Sequence, residues 1–407
     1  MTGIWEIPNL YQYITIPLVA AFVGWATNWV AIQLTFYPLK FIGIPPYLGW
    51  QGIIPSKAAR MAKISVEASL AKIGTPREVF EELDPELMKA HFVRSLEPWI
   101  QVYTADILFE TYPRLWKLLP KWAKAAIYEK VADRLPEVVD EIMDELTERI
   151  DELLDLEWLA IRELTNDPAL LVRTFQECGE EEFKFIINSG IYFGLLFGVV
   201  QAIGWYFLPA PWTLPLFGVL TGTLTTWLAL KLIFSPLNPV KVGPLVLQGI
   251  FLKRQEHVSR VYTHIITTEI LTLPKLADGL LSGPNGDKVR ELIISKVDKS
   301  IDDAIARSDD IVKIAENSGI NLRIDRVRSS MSHKALTAFS NPFNDLAFAR
   351  GRQQVVEEML FHRMVEMTPE EFQSLLRPAF QEDEIKLVLA AGSLGAIAGL
   401  LQILVYL

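Results

Sequence analysis

The chain has almost no cysteine. Cys178 stands alone among 407 residues, which excludes an intrachain disulfide and a thiolate metal cluster and leaves it as an incidental small residue. Histidine is scarce too, with five in all. His257 and His264 fall two helical turns apart, too far for one metal without a further ligand, and His91, His333 and His362 are isolated. A Walker loop, a dinucleotide-binding glycine fingerprint, a G-x-S-x-G elbow and an H-E-x-x-H pair are all missing. Basic residues are outnumbered 39 to 49, giving a formal charge of −10. The clustered positive charge that phosphate binding needs is therefore absent, and a nucleic-acid partner is excluded. The sequence points to no cofactor, no metal and no catalytic residue. Carboxylates abound, but on solvated helices, with no nucleophile and base pair beside them, so the reading leans against an enzyme.

What the chain has in quantity is apolar surface, 50% of its residues, with a mean hydropathy of +0.24. Four runs, at 14–36, 184–207, 214–234 and 385–407, are almost free of charge. Each has the roughly 20 residues that about 30 Å of hydrocarbon requires of a helix. The first is too long for a signal-peptide core and has only Glu6 before it, so it is expected to stay in the mature chain. The expectation is an all-α, multi-pass protein of the cell membrane.

Basic residues stay on the cytoplasmic side of membrane helices. Lys40, Lys57, Arg60, Lys63, Lys72 and Arg77 follow the first run, and Lys241, Lys253, Arg254 and Arg260 follow the third. Residues 1 to 13 and the FLPAPWT link between runs two and three contain neither Lys nor Arg. Both termini are thus expected outside. The chain divides into an N-terminus and first helix (1–36), an interfacial segment and cytoplasmic insert (37–183), two helices in a tight external hairpin (184–234), a second segment and insert (235–384), and a last helix (385–407).

Both inserts read as helical. In RLPEVVDEIMDELTERIDELLDLEWL, Leu135, Val138, Ile142, Leu146, Ile150 and Leu153 recur at spacings of three or four and make one apolar face. The opposite face carries Glu137, Asp140, Glu141, Asp144, Glu145, Glu148, Asp151 and Glu152, reads as solvated, and is expected to project away from an anionic leaflet. KVRELIISKVDKSIDDAIARS has a similar period, and Thr368, Pro369 and Glu371 suit a helix start. No alternating strand pattern stands out in either insert.

An internal repeat organises the whole. GWATNWVAIQLTFYPL, Gly24 to Leu39, aligns without a gap on GTLTTWLALKLIFSPL, Gly222 to Leu237. After a one-residue slip, Gln51-Gly52-Ile53 matches Gln248-Gly249-Ile250, each followed by a lysine, Lys57 or Lys253. FQECGEEEFKF before the second helix resembles FQEDEIKL before the fourth, and Gly194, Gly198 and Gln201 match Gly395, Gly399 and Gln402. The unit is helix, insert, helix, repeated twice. Because each copy crosses the membrane twice, the repeats are parallel, and a pseudo-twofold axis along the membrane normal is expected.

Each membrane helix also has a stripe of small residues at spacing four: Ala20, Gly24 and Asn28; Gly190, Gly194 and Gly198; Gly218, Gly222 and Thr226; Ala391, Gly395 and Gly399. Such stripes let helices approach closely in lipid, which points to one bundle. Asn28 and its equivalent Thr226 belong to the seam, with Thr27 and Thr225 beside them, and an unpaired amide there would cost several kcal/mol. Asn28 is expected to hydrogen-bond across the bundle or else to line a path. Gln33 and its counterpart Lys231 lie nearer the cytoplasmic ends, where Lys231 can snorkel. Pro38 and Pro236 end their helices. The segments FIGIPPYLGWQGIIPSK and NPVKVGPLVLQGIFLKR that follow are apolar but too short to span. They are expected in the interface, with Phe41, Tyr47 and Trp50 at that depth, and Gln51, Lys57, Arg60, Gln248, Lys253 and Arg254 near lipid headgroups.

The motif G-W-x-T-N-W-x-A, then F-x-P-L and QG-I-I-P, together with LRPAFQEDEIKLVLAAGSLGAIAGLLQ near the end, resembles the bacterial membrane-protein family catalogued as domain of unknown function 445. The likeness runs along the whole chain. It implies this architecture and no activity. The functional expectation is a non-enzymatic membrane-anchored scaffold or lipid-interacting protein with elongated helical cytoplasmic arms. Its expected partners are membrane lipids and, through the acidic helices, a second copy or a cytoplasmic protein. The rival is a transporter or channel for lipid or a small solute, with a path between the repeats lined by Asn28, Thr225, Thr226 and Gln33.

Overall fold

The structure is a computed structural model that describes residues 10–44, 48–306 and 323–406. Tyr47, residues 1–9, and Arg307 and Ser308 at the end of the second insert's helical pattern lie outside the described residues. The chain opens with α1 (Leu10–Phe36), strands β1 (Ile42–Ile44) and β2 (Leu48–Trp50), and helices α2 (Ile53–Ser56), α3 (Ala58–Ile73) and α4 (Pro76–Glu82). There follow α5 (Pro85–Thr111), α6 (Pro113–Leu118), α7 (Lys121–Glu148), α8 (Ile150–Leu153), α9 (Leu156–Asn166) and α10 (Pro168–Cys178). Next come α11 (Glu180–Phe207), α12 (Thr213–Phe234), β3 (Val240–Val242), β4 (Leu245–Leu247), α13 (Ile250–Lys253) and α14 (Gln255–Ile265). A π turn (Ile266–Ile270) leads to α15 (Leu273–Ser282) and α16 (Gly286–Ala306), then α17 (Ile324–Phe339), α18 (Leu346–Glu366) and α19 (Pro369–Tyr406).

Four of these helices are long and apolar enough to cross a membrane, over Tyr13–Phe36, Glu180–Phe207, Thr213–Phe234 and Glu384–Ile403. They match the four apolar runs of the sequence, and the chain is an all-α membrane protein. The residues group into two compact units, 1–72 with 161–262 and 361–407, and 73–160 with 263–360.

The first unit holds all four long helices. α1 lies along α11, and α12 along α19. Glycine is what lets them touch. A Cβ placed on Gly24 would stand 2.5 Å from the Gly190 carbonyl oxygen, and one on Gly399 would stand 2.5 Å from the Leu214 oxygen. Backbone therefore meets backbone, and even a methyl group would collide. Gly198 rests on Pro17 as Gly399 rests on Pro215, and Gly194 meets Ala20 as Gly395 meets Gly218. The other faces turn apolar side chains outward: Phe22 is 64% exposed and Phe207 77%. A water-soluble fold buries such groups, whereas lipid accepts them.

Past each proline the chain turns into a two-stranded antiparallel hairpin. Ile42 pairs with Trp50 and Ile44 with Leu48; Val240 pairs with Leu247 and Val242 with Leu245. The sequence shows these segments only as apolar and interfacial. Three residues are too few for an alternating pattern to register, and Pro and Gly interrupt both. The Tyr37–Pro38 and Ser235–Pro236 peptides are both cis, and Gly243, at φ +61°, makes the second turn, a conformation glycine adopts without steric cost. In each hairpin the returning chain bonds back to its proline: the Gly52 amide donates to the Pro38 carbonyl and the Gly249 amide to the Pro236 carbonyl, both at 2.9 Å.

The second unit is helical throughout its described residues apart from turns. Two prolines start its first helices, which are capped by local chemistry: Thr75 and Glu78 form a reciprocal capping box on α4, and Asp84 accepts from the Leu87 amide at the start of α5. Its core runs through Met143, Leu146, Ile150, Leu153, Val289 and Ile293, each at most 1% exposed. Residues from both inserts build this one unit, whereas the sequence reading treats the inserts as separate arms. The apolar face expected along one helix is split between α7 and α8: Leu146 on α7 and Ile150 and Leu153 on α8 are buried, while Leu135, Val138 and Ile142 on α7 are only half-buried.

The acidic face of α7 is not simply solvated. On α7, Glu145 meets Lys296 at 2.7 Å, Glu141 meets Lys299 at 2.7 Å and Asp144 meets Lys89 at 2.5 Å; on the following α8, Asp151 meets Arg77 at 3.0 Å. Periodicity finds the carboxylates but not the cations, which arrive from α4, α5 and α16. The Lys296 ammonium, by its hydrogen bond, holds the Glu145 carboxyl below the usual carboxylate range.

Candidate functional site

Asn28 is completely buried. It sits one helical turn beyond Gly24, where α1 runs against α11 so closely that its amide reaches the neighbouring backbone. Its Nδ2 donates to the Ile186 carbonyl at 2.7 Å, an oxygen that also accepts from the Ser189 hydroxyl on its own helix. The Thr226 hydroxyl lies 2.8 Å from Asn28 Oδ1 and 2.9 Å from the Gly222 carbonyl, placed to donate to either. One side chain thereby joins α1, α11 and α12. Low dielectric strengthens these bonds and makes breaking them costly.

Thr27 and Thr225 are buried beside this seam but turn back onto their own helices. Thr27 donates to the Gly24 carbonyl at 3.2 Å and Thr225 to the Thr221 carbonyl at 2.7 Å, which satisfies each hydroxyl locally. Gln33 and Lys231 do not join the cluster; both are exposed, and the Lys231 ammonium lies 5.0 Å from the centre of the Trp227 ring.

The interfacial group divides. Gln51 donates to the Leu39 carbonyl at 2.8 Å and Gln248 to the Leu237 carbonyl at 3.2 Å, so both amides brace their hairpins. Lys57 and Arg254, not Lys253, occupy matching positions after α2 and α13, where each amide closes the short helix onto its preceding turn. Lys253 is exposed and donates to the Val246 carbonyl at 3.1 Å. Arg60 is exposed and Lys57 half-buried. Arg254 departs furthest from the expectation of a headgroup contact. Its guanidinium holds both oxygens of Glu182, at 2.9 and 3.1 Å, and the Glu182 side chain is 4% exposed. A buried carboxylate needs that partner, and the acidic start of α11 supplies the signal that could have found it.

Two other features enter only with the structure. Gln201, noticed in sequence as one half of a matched pair, is 3% exposed, and its Nε2 has no hydrogen-bond partner among the described residues. In the second unit, α5, α7, α16 and α17 line a half-open cleft of about 180 Å³, walled mainly by apolar side chains that include Ile100, Leu135, Val138, Ile142 and Phe339. Cys178 is fully buried, which pushes its thiol pKa up and keeps it an unreactive neutral group. His264 contacts the Glu357 carboxylate at 3.2 Å.

No family model matches the chain, and no solved structure matches it. A UPF0754 membrane protein of Microcystis aeruginosa is 28% identical over 138 residues, covering 28% of this chain and 33% of that protein. A UPF0754 membrane protein of Nostoc is 26% identical over 139 residues, covering 28% of this chain and 32% of that protein. The chain spans about a third of the length of these curated relatives. Both names state a membrane location and no activity, so this chain is similar to bacterial membrane proteins whose names leave function open.

Proposed function

We propose that this protein is a non-enzymatic, membrane-anchored scaffold that contacts lipid and holds a helical unit at the membrane surface. The observation that carries the reading is the Asn28 junction. With its amide bonded to Ile186 and within reach of Thr226, and glycine backbones in contact on both sides, the seam between the helices is filled by protein. A closed seam suits an anchor. In this reading both termini lie outside and both inserts are cytoplasmic, and the four helices form two parallel repeats about a pseudo-twofold axis. The matched contacts Gly198–Pro17 and Gly399–Pro215, and the matched Gln51 and Gln248 braces, support the repeat. The motifs shared with the domain of unknown function 445 family support the same arrangement. The partners are membrane lipids and a second copy or a cytoplasmic protein.

The buried Gln201 Nε2, which has no hydrogen-bond partner among the described residues, favours the alternative, a lipid or small-solute transporter. One pair of measurements separates the two. Native mass spectrometry of the protein released from lipid nanodiscs is expected to retain lipid or a second subunit, and proteoliposomes are expected to carry no flux above empty vesicles. A substrate- or ion-dependent flux that Asn28→Ala or Gln201→Ala abolishes would overturn the scaffold reading.

A further inference from the structure

The second unit exposes its large apolar side chains in one place. Among its described residues, every well-exposed large apolar side chain except Leu87 and Leu346 falls between Trp99 and Trp122. The concentration peaks at the turn from α5 through α6 into α7. Leu118 is 81% exposed, Trp122 76% and Phe109 46%.

The charge of this turn runs against that of the chain. From Thr111 to Tyr128, TYPRLWKLLPKWAKAAIY contains Arg114, Lys117, Lys121 and Lys124 and no Asp or Glu, in a protein whose formal charge is −10. The turn's fold separates its side chains by role. Trp116, 7% exposed, packs edge-on to Tyr128 with the Lys124 ammonium 4.9 Å from its ring, and this holds the short α6 against α7. Leu115, Leu118 and Trp122 are left facing outward, interleaved with exposed Arg114, Lys117 and Lys121. Lys117 stands 5.6 Å from the ring centre of Phe109, tying the end of α5 into the same patch.

We propose that this turn is a membrane-docking surface that inserts Leu118 and Trp122 into the headgroup region of an anionic bilayer while Arg114, Lys117 and Lys121 pair with its phosphates. Tryptophan and leucine flanked by lysine form the composition that lies in an interface, the rings at headgroup depth and the ammonium groups in the surface potential. A neutral protein groove would not call for the cations, and zwitterionic lipid would not reward them. The inference rests on the lipid-contact part of the proposed function and adds a second contact to the one made by the membrane helices, at a position far from them in sequence.

The test uses the full-length protein reconstituted in vesicles, with a nitroxide on Leu118→Cys; Cys178, the lone other cysteine, is buried and protected from the reagent. A label on Glu148→Cys, exposed at the far end of α7, serves as control. In vesicles containing phosphatidylglycerol, the 118 label is expected to lose accessibility to a water-soluble nickel relaxant and gain it to oxygen, while the 148 label stays in water. In pure phosphatidylcholine both labels are expected to remain water-accessible. Salt near ~1 M, where the Debye length falls to about 3 Å, or Lys117→Glu with Lys121→Glu, should return the 118 label to water.

A 118 label that stays in water in anionic vesicles overturns the proposal. So does protection that ignores lipid charge but grows with protein density, which would make the acidic surface of a second copy the occupant. Either result leaves the lipid retained by the membrane helices in mass spectrometry unchanged, so the two readings fail separately.

Discussion

Asn28 is the residue whose removal the membrane unit should feel most directly. Asn28→Ala leaves the Ile186 carbonyl without its partner on α1 and takes from Thr226 one of its two acceptors. Polar contacts of this kind in membranes are worth about 1 to 2 kcal/mol. The expected result is a loss of that size in resistance to unfolding in detergent. Thr226→Ala should cost less, because Asn28 keeps its bond to Ile186. Equal effects of the two substitutions would contradict this geometry. At Glu182 and Arg254 the logic is that of a buried pair: removing one partner strands the other charge and costs on the order of 3 kcal/mol, while Glu182→Leu with Arg254→Met together costs much less. A double-mutant cycle read by thermal unfolding tests this, and additive losses would sink it.

At the scale of the element, the glycine contacts decide how far apart the long helices sit. Gly190→Leu places a side chain where Gly24 backbone stands on the opposite helix, and rigid backbone cannot give way as a flexible side chain can. The expected outcome is separation of α1 from α11, seen as lost cross-linking between cysteines placed on the two helices. Gly351, in the second turn of α18, has nothing within 4 Å of its would-be Cβ. Gly351→Ala should therefore stabilise the protein by about 0.5 to 1 kcal/mol, the cost of glycine's extra freedom in a helix. The long helices and the start of α19 at Thr368, where Thr368 and Glu371 exchange hydrogen bonds, were legible in the sequence because hydrophobic length and capping are local properties. The hairpins were not, because pairing of three-residue strands is decided by the turn and not by pattern.

The whole molecule brings together what the sequence keeps apart. Glu145 of the first insert meets Lys296 of the second, and Arg328, itself held by Asp302 and Asp298, lies on α17 against α16. Both Glu145 and Asp302 are held below the usual carboxylate range, by Lys296 and Arg328 respectively. Because their folded pKa values are depressed, the stabilisation they give is complete above the ordinary carboxylate range, about 4, and is lost as pH falls through the folded values. Hydrogen exchange in α7 and α16, corrected for intrinsic rate, is expected to stay constant from neutral pH down to about 5 and to rise below about 4. Lys296→Met should flatten that rise, and a rise that begins above neutrality would contradict the assignment.

By itself the sequence determined the membrane character, the helical nature of the stretches between the apolar runs, the small-residue stripes and the polar residues on them, because each follows from composition and spacing along one chain. It could not tell that Arg254 holds Glu182, that the acidic residues of α7 and α8 find cations on three other helices, or that residues from both stretches between the apolar runs share one core. Those contacts join positions between about fifty-five and a hundred and sixty residues apart, and only tertiary packing selects a partner across such a distance. The same packing turned Trp116 inward and left Leu118 and Trp122 outside, where the sequence shows only a run of aromatic, aliphatic and basic residues.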